Sequence, residues 1–306
     1  MTSTCTSASA ELGESVAATA AVARTWLLVE QPGPWGPKAL TSSRLDPAVG
    51  RELERLADGT GVRVALVRRP GRHADRHVPA AHRVFLAHTA PGGSWVRTAS
   101  VADPAELAAL DFTALGTGEH GGFGDGYAGP PLALVCTNGR RDRCCAVQGR
   151  PLATALAAAE GTGVWEATHL GGHRFSPTML VLPFGYAYGR VDAPLAKEVL
   201  AAAHAGRIAL DGCRGRSFWD RPEQAADLAV RALTGEEREG ALAVSGTVPD
   251  GPDGWTVRVR HTDGRAWDVG VSRAAAQPPR PESCGGALGT PAAFTADRVS
   301  AVSGRS

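Results

Sequence analysis

The chain has 306 residues, of which 43% are hydrophobic and 21% are charged, and its formal net charge is +1. This composition is typical of a globular protein with one large or two ordinary domains. The near balance of charge argues against a nucleic-acid-binding surface and an acidic interaction tail.

The amino-terminal segment shows no pattern of a targeting peptide. Residues 1–15 have no basic n-region, and the acidic residues Glu11 and Glu14 interrupt the stretch where an apolar h-region would lie. No apolar run approaches the roughly 18 residues that would span a membrane. The sequence therefore predicts a cytoplasmic protein with no membrane partner. Residues 1–20, rich in Ser, Thr and Ala, are expected to form a mobile arm.

The first half of the sequence alternates strand and helix patterns. The spacing predicts a strand at 25–30, a helix opened by Asp46 and Pro47, a strand at 62–67, a hairpin of 83–88 with 94–98, and a helix at 105–110. These elements predict a first lobe over residues 21–115. The Gly-rich segment at 116–130 is expected to be a linker.

The second half repeats this order of elements. We predict a strand at 132–135, helices at 151–159, 195–205 and 222–234, a strand at 164–168, and a hairpin of 179–182 with 187–191, in a lobe over residues 131–235. Strand patterns at 241–248, 255–261 and 266–271 predict a β-hairpin or meander appendage over residues 236–276. Residues 277–306, rich in Pro, Gly and Ala, are expected to be a flexible tail.

The recurrence indicates two copies of one α/β unit, since residues 26–29 (Trp-Leu-Leu-Val) match residues 132–135 (Leu-Ala-Leu-Val). The order of elements resembles the thioredoxin fold. Glu30 then stands where the second copy has Cys136, and no His-x-x-x-His follows in the first copy. We predict two thioredoxin-like lobes, the first degenerate and the second bearing the functional site. Chance similarity of short elements is the alternative.

Four side chains in the second lobe form a metal-ligand set. Cys136 and Cys145 have eight residues between them, and His169 and His173 follow after a further 23 residues. Cys136 ends a strand and Cys145 begins the following helix, where a helix amino terminus favours the thiolate that a metal requires. Gly171 lies in the pair of glycines between the histidines, and this pair favours a loop that turns both imidazoles inward.

The residues alone leave three interpretations open. A mononuclear zinc site is the commoner use of two Cys and two His, although eight residues between the cysteines is outside the usual zinc spacing. A thiol redox site of Cys136 with Cys144 and Cys145 would lack the Cys-x-x-Cys of thioredoxin-like enzymes. An iron-sulfur centre is the third.

Three sequence segments resemble the sucrase/ferredoxin-like family of thioredoxin-like ferredoxins. They are CTNGRRDRCCAVQGRPLATAL, VWEATHLGGHRFSPTMLVLPFGYAYGRV and GCRGRSFWDRPEQAA, and the resemblance extends from Trp26 to about Gly285. It implies a [2Fe-2S] cluster on Cys136, Cys145, His169 and His173, with Cys145 rather than Cys144 as the second cysteine. The implied function is a one-electron carrier or redox sensor that has a reductase or acceptor protein as its partner.

The remaining expectations concern activity and secondary residues. No pair of carboxylates supports a glycosidase, so no sucrase activity is expected. Cys213 and Cys284 are not expected to be ligands. Arg214, Arg216 and Ser217 either steer a partner, help to close the cluster pocket or lie on a solvated loop. The arginines around residue 140 either form a docking face for an acidic reductase or are ordinary surface. The alternative function is a zinc-stabilised or thiol-based interaction module without electron transfer.

Overall fold

A computed structural model of the chain describes residues 4–71 and 81–302. The α-helices are α1 (Cys5–Glu11), α2 (Pro47–Ala57), α3 (Phe112–Thr117), α4 (Arg143–Glu160), α5 (Ala193–His204) and α6 (Arg221–Thr234), and 3-10 helices lie at Pro104–Ala109, Gly161–Gly163 and His173–Phe175. None of the helices in these residues combines the length and apolarity needed to cross a bilayer.

The strands form a ten-stranded mixed sheet, a four-stranded antiparallel sheet and a two-stranded ladder. The large sheet contains β1 (Thr25–Glu30), β2 (Val62–Arg68), β3 (His82–His88), β4 (Trp95–Val101), β5 (Asp125–Gly126), β6 (Leu132–Cys136), β7 (Val164–Ala167), β8 (Met179–Leu182), β9 (Tyr186–Tyr188) and β10 (Cys213–Arg216). The smaller sheets contain β11 (Leu242–Pro249), β12 (Gly254–His261), β13 (Ala266–Ala275), β14 (Arg280–Pro281), β15 (Leu288–Gly289) and β16 (Ala292–Ala301). The chain is thus of the mixed α/β class.

The large sheet consists of two halves with the same strand order. The first half runs β2-β1-β3-β4 and the second runs β7-β6-β8-β9. In each half the first two strands are parallel, and the third and fourth are antiparallel to their neighbours. The central strands β1 and β6 are almost wholly buried, as expected for continuous apolar runs covered on both faces. The halves meet where β2 pairs antiparallel with β7.

Several helix ends agree with the capping residues in the sequence. Asp46 accepts a hydrogen bond from the Ala48 N–H at 2.7 Å, and Asp192 caps α5 in the same manner. Helix α4 differs, because it begins at Arg143, eight residues before the predicted start at Pro151. The Asp142 carboxylate caps it by accepting from the Cys144 N–H at 3.0 Å, so this helix begins within the cysteine-containing segment.

The ends of the described chain are more ordered than the sequence predicts. The expected mobile arm contains α1, which has a capping box of Thr4 with Ser7 and buries Cys5. The expected flexible tail contains β14, β15 and β16, and β16 pairs with β13 from Trp267 to Ala275. Local composition does not reveal this helix and these strands, because they form through contacts with tertiary partners. Residues 1–3 of the arm and 303–306 of the tail lie outside the described residues.

The carboxy-terminal appendage is an antiparallel sheet in the order β11-β12-β13-β16. Its apolar face packs on α6, where Val230 joins Val257, Val259 and Val269 in one buried cluster. The sequence predicts three of these strands, and the fourth is β16. Within the predicted linker, β5 pairs with β4, so this segment extends the large sheet.

A buried ion pair joins the two halves of the large sheet. Arg68 on β2 donates to the Glu166 carboxylate on β7 through Nε at 2.8 Å, and the Thr137 hydroxyl donates to the same oxygen at 2.8 Å. The Arg68 guanidinium also stacks on Trp35, 3.9 Å from the ring centroid. We expect Glu166→Ala to lower the free energy of unfolding by about 3 kcal/mol, because it leaves a buried guanidinium without its counterion.

Denaturant titration followed by tryptophan fluorescence measures this loss. The matched control is Glu52→Ala, which breaks the solvent-exposed pair with Arg55 and should cause no measurable change. Equal effects of the two substitutions would contradict a buried, stabilising pair.

Candidate metal centre

The two predicted cysteine ligands lie at one end of the second half of the sheet. Cys136 is the last residue of β6, and Cys145 lies in the first turn of α4. Gly149 permits the close contact of helix and strand, since a Cβ there would lie 2.2 Å from the Cys136 carbonyl oxygen. Both sulfurs are therefore buried beneath the start of the helix.

The two thiols lie in one buried cluster. The neighbouring Cys145 thiol, and then the backbone N–H groups of Leu170 and Asn138, lower the pKa of Cys136 to about 7 against the effect of burial. The Cys136 sulfur in turn raises the pKa of Cys145, so Cys136 is the thiolate of the pair.

The predicted histidine ligands lie in a loop, as the glycine pair indicates. Gly171 and Gly172 have φ values of +82° and +67°, and a 3-10 turn begins at His173. The His169 and His173 rings lie 5.3 Å apart between centroids. The Nδ1 atom of each ring is buried and has no hydrogen-bond partner among the described residues. Two ring nitrogens are therefore available as ligands.

The buried Arg214 and the half-buried Arg63 hold this loop in place. Arg214 donates to the Gly171 carbonyl at 3.0 Å and to the backbone of Thr19, and Arg63 donates to the His169 carbonyl at 3.0 Å. A Cβ on Gly172 would lie 2.0 Å from the Arg214 guanidinium, so only glycine fits there. Arg214 is 1% exposed, so it does not lie on a solvated loop.

Arg216 has a different role. It is fully buried, and it donates to the carbonyls of Thr89 and Ala90 and to the Glu239 carboxylate. These contacts connect β10 to the first half of the sheet and to the appendage. The interpretation of Arg216 as part of a solvated loop is wrong.

The two imidazoles differ in their electrostatic surroundings. Burial, and then the positive charge of Arg63, lowers the pKa of His169 to about 3. Burial also lowers the pKa of His173, but the nearby Asp142 carboxylate opposes this shift. The His173 Nε2 lies 3.6 Å from Asp142 Oδ2. Both rings are therefore neutral near pH 7, the state in which imidazole binds metals.

Asp142 is the carboxylate that lies beside His173. From the sequence, Glu166, Thr168 or a backbone carbonyl are possible hydrogen-bond partners of the rings. Glu166 instead pairs with Arg68, and the Thr168 hydroxyl accepts from the Leu66 N–H. Metal-ligating histidines commonly donate their second N–H to a carboxylate. Asp142 is placed for this role at His173.

A second group of sulfurs lies next to the first. Cys5, Cys144 and Cys284 meet Asp142, and one ligand atom from each of the four lies within 4.8 Å of the others. This mostly buried group could hold a metal ion. No sequence pattern marks Cys5 or Cys284 as a ligand, because contacts between residues so far apart leave no local pattern. Cys144 thus belongs to this group, whereas its neighbour Cys145 lies in the same buried cluster as Cys136.

Lowering the pH should destabilise the metal-free protein through His169. Its pKa of about 3 lies below the ordinary value of 6.5. As the pH falls below about 7, His169 takes up a proton in the unfolded chain but stays neutral in the folded protein. The free energy of unfolding therefore decreases as the pH falls. We expect the free energy of unfolding of chelator-treated protein to fall by about 2 kcal/mol between pH 7 and pH 5 from this residue.

Urea titrations at several pH values test this expectation. His169→Gln should remove most of the slope, because glutamine does not titrate, whereas His204→Gln changes an exposed ring and should retain it. An unchanged slope in the His169 variant would contradict the assignment.

Comparison with known proteins gives one match. A family model described as sucrase/ferredoxin-like matches residues 16–215, which include both halves of the large sheet and all four predicted ligands. No curated protein and no solved structure is significantly similar to the chain.

Proposed function

Because the chain belongs to the sucrase/ferredoxin-like family, we propose that Cys136, Cys145, His169 and His173 hold a [2Fe-2S] cluster in a one-electron carrier or redox sensor. Two neighbouring pairs of candidate ligands support this proposal. Cys136 at the end of β6 and Cys145 in the first turn of α4 lie in one buried cluster, and the His169 and His173 rings lie 5.3 Å apart between centroids. The two neighbouring imidazoles each keep a buried, unpaired Nδ1.

The donor set fits such a group. Two thiolates and two neutral imidazoles give an oxidised cluster no net charge, whereas four thiolates would give it two negative charges. When bound, the cluster takes up and releases a single electron, and histidine ligation raises its reduction potential relative to all-cysteine ligation. The buried position of the Cys136 and Cys145 sulfurs keeps water away from them.

The surrounding residues would position the ligands. The N–H groups of Leu170 and Asn138 stabilise negative charge on the Cys136 sulfur, and hydrogen bonds to sulfur are one means by which proteins tune such centres. Asp142 can accept a hydrogen bond from the Nε2–H group of His173 once the 3.6 Å distance between Nε2 and Oδ2 shortens slightly. Arg214 and Arg63 fix the backbone between and before the histidines.

We further propose that each half of the large sheet is a thioredoxin-like lobe, the first without ligands. The shared strand order and directions support this proposal. Glu30 ends β1 just as Cys136 ends β6. The first lobe would then support the second, since Arg63 and Arg68 of β2 reach residues on and beyond β7.

The proposed redox partner is an acidic protein. Arg140, Arg141 and Arg143 are exposed on and beside the loop between β6 and α4. A cavity of about 570 Å³ beside this loop is lined by residues that include Lys38, Arg141 and His169. Positive charge at this edge would attract and orient an acidic reductase or acceptor.

A second candidate function is a zinc-stabilised or thiol-based interaction module without electron transfer. The group of Cys5, Asp142, Cys144 and Cys284 favours it, because this group could hold a metal without any cluster. Protein of this kind would contain no iron and would have no visible absorption.

Metal and sulfide analysis of anaerobically purified protein separates the two functions. We expect two iron and two sulfide per chain, visible charge-transfer absorption, and an EPR signal on one-electron reduction. Cys136→Ser should abolish all three, whereas Cys213→Ala changes a buried cysteine of another core cluster and should preserve them. Colourless protein that takes up no iron on reconstitution would contradict the proposal.

A further inference from the structure

Three segments far apart in sequence converge on the second sulfur group. Cys5 comes from α1, Cys144 from the first turn of α4, and Cys284 from the turn after β14, while Asp142 caps α4. Cys5 and Cys284 lie outside the residues that the family model matches. The proposed [2Fe-2S] site therefore leaves this group without a role.

We propose that Cys5, Cys144, Cys284 and Asp142 form a structural site for a single zinc ion, separate from the proposed cluster. Three thiolates and one carboxylate are a soft, tetrahedral donor set of the kind that suits zinc. The ion would fasten α1 and the turn after β14 to the start of the helix that carries Cys145.

The distances fit one tetrahedral ion. Zinc bound to sulfur at about 2.3 Å holds neighbouring sulfurs about 3.8 Å apart. The Cys5 Sγ lies 3.6 Å from the Cys144 Sγ, 3.5 Å from the Cys284 Sγ, and 3.8 and 3.9 Å from the Asp142 oxygens. The Cys144 and Cys284 sulfurs are closer, at 2.9 Å. Cys284 lies in a half-buried turn and would move outward by about 1 Å to complete the tetrahedron.

The carboxylate is already held as a ligand would be. Asp142 accepts hydrogen bonds from the Cys144 N–H at 3.0 Å and from the Cys284 N–H and the Ser283 hydroxyl, each at 2.9 Å. Ligating carboxylates in metal sites are commonly oriented by such hydrogen bonds. The side chains of Cys5, Cys144 and Asp142 are buried, so water is largely excluded as a competing ligand.

A disulfide would involve only two of these four side chains, whereas a metal ion would bind all of them. A disulfide needs a sulfur separation of 2.03–2.05 Å and would join only two of the three cysteines. The third thiol and the carboxylate would then remain buried beside it without a function. Ion pairs tie the same segments together, because Arg174 bonds both Glu14, just after α1, and Glu282, next to the Cys284 turn.

The test measures zinc and iron in the same protein. Full-length wild type, Cys5→Ser, Cys284→Ser and the control Cys213→Ala are purified under argon with a thiol-free reductant and equilibrated with one equivalent of zinc. We expect one zinc per chain in wild type and control, and a loss of more than about tenfold in zinc affinity in the two serine variants. Iron content should be the same in all four proteins. Cys136→Ser should show the reverse pattern, with iron lost and zinc kept.

A second measurement avoids dependence on variants that fail to fold. Zinc should protect Cys5, Cys144 and Cys284 of the wild type from alkylation, and a chelator should expose all three, as followed by mass spectrometry of peptides. Wild type that binds no zinc, or a Cys144–Cys284 disulfide in protein kept under argon, would overturn the proposal. So would loss of iron together with zinc in properly folded Cys284→Ser, since the sulfurs would then serve a single centre. Failure of the [2Fe-2S] proposal is distinct, because it leaves zinc bound and iron absent.

Discussion

Cys145→Ser is expected to abolish iron binding, while Cys144→Ser should leave the iron content unchanged. The two side chains are adjacent in sequence but enter different sulfur groups. Cys145 lies in the same buried cluster as Cys136, whereas the Cys144 Sγ lies 3.6 Å from that of Cys5 and 2.9 Å from that of Cys284. Removing a ligand should lower the affinity for iron by more than about tenfold, since a loss of that size is already seen for residues that only support ligands.

Iron and sulfide analysis after anaerobic reconstitution measures the difference between these variants. Each substitution replaces a thiol by a hydroxyl in the same helical turn, so the two proteins control for one another. Circular dichroism establishes that both are folded. Equal loss of iron in both variants, or loss only in the Cys144 variant, would show that the two sulfur groups have been assigned wrongly.

The reduction potential should fall as pH rises, by up to about 59 mV per pH unit, which corresponds to one proton taken up with each electron. A histidine that binds metal through Nδ1 keeps a proton on Nε2, and this proton is held more tightly when the adjacent centre is reduced. The two rings should titrate at different pH values. Arg63 places positive charge near His169, whereas Asp142 favours the protonated form of His173. His169 should therefore lose its proton at the lower pH.

Potentiometric titration followed by visible absorption tests this prediction. His169→Cys should flatten the low-pH part of the curve, and His173→Cys the high-pH part, and both should lower the potential because a thiolate replaces a neutral ligand. Removal of the exposed His204 provides the control and should leave the curve unchanged. A potential independent of pH between about 6 and 9 would contradict histidine ligation, since no Nε2 proton would then be taken up with the electron.

Local signals in the sequence predicted the parts of the fold that depend on neighbouring residues. Asp46 caps the helix it was expected to open, Asp192 and Asp220 cap α5 and α6, and Gly235 ends α6 in a left-handed conformation. The pair Gly171 and Gly172 produces the expected loop. In each case the residue determines the backbone through its own hydrogen bond or its own torsion angles.

Features that depend on distant partners were not predictable in this manner. Helix α1 is held in place by contacts of Cys5 with Cys144 and Cys284, which lie 139 and 279 positions away in the sequence. Strand β16 forms by pairing with β13. The carboxylate beside His173 was also misassigned. Glu166 is close to the histidines in sequence, but its strand directs it to Arg68, while Asp142 reaches His173 through the start of α4.

The junction of the two halves rests on a short stretch of ladder. Strands β2 and β7 share two residue pairs, Val67 with Ala167 and Arg68 with Glu166, and Thr168 then exchanges hydrogen bonds with Leu66. A fragment of residues 131–235 alone would present β7 as an open edge, and unpaired edges promote aggregation. The first half of the sheet thus covers this edge, and a shortened form of the protein must retain it or replace the backbone partners that it supplies.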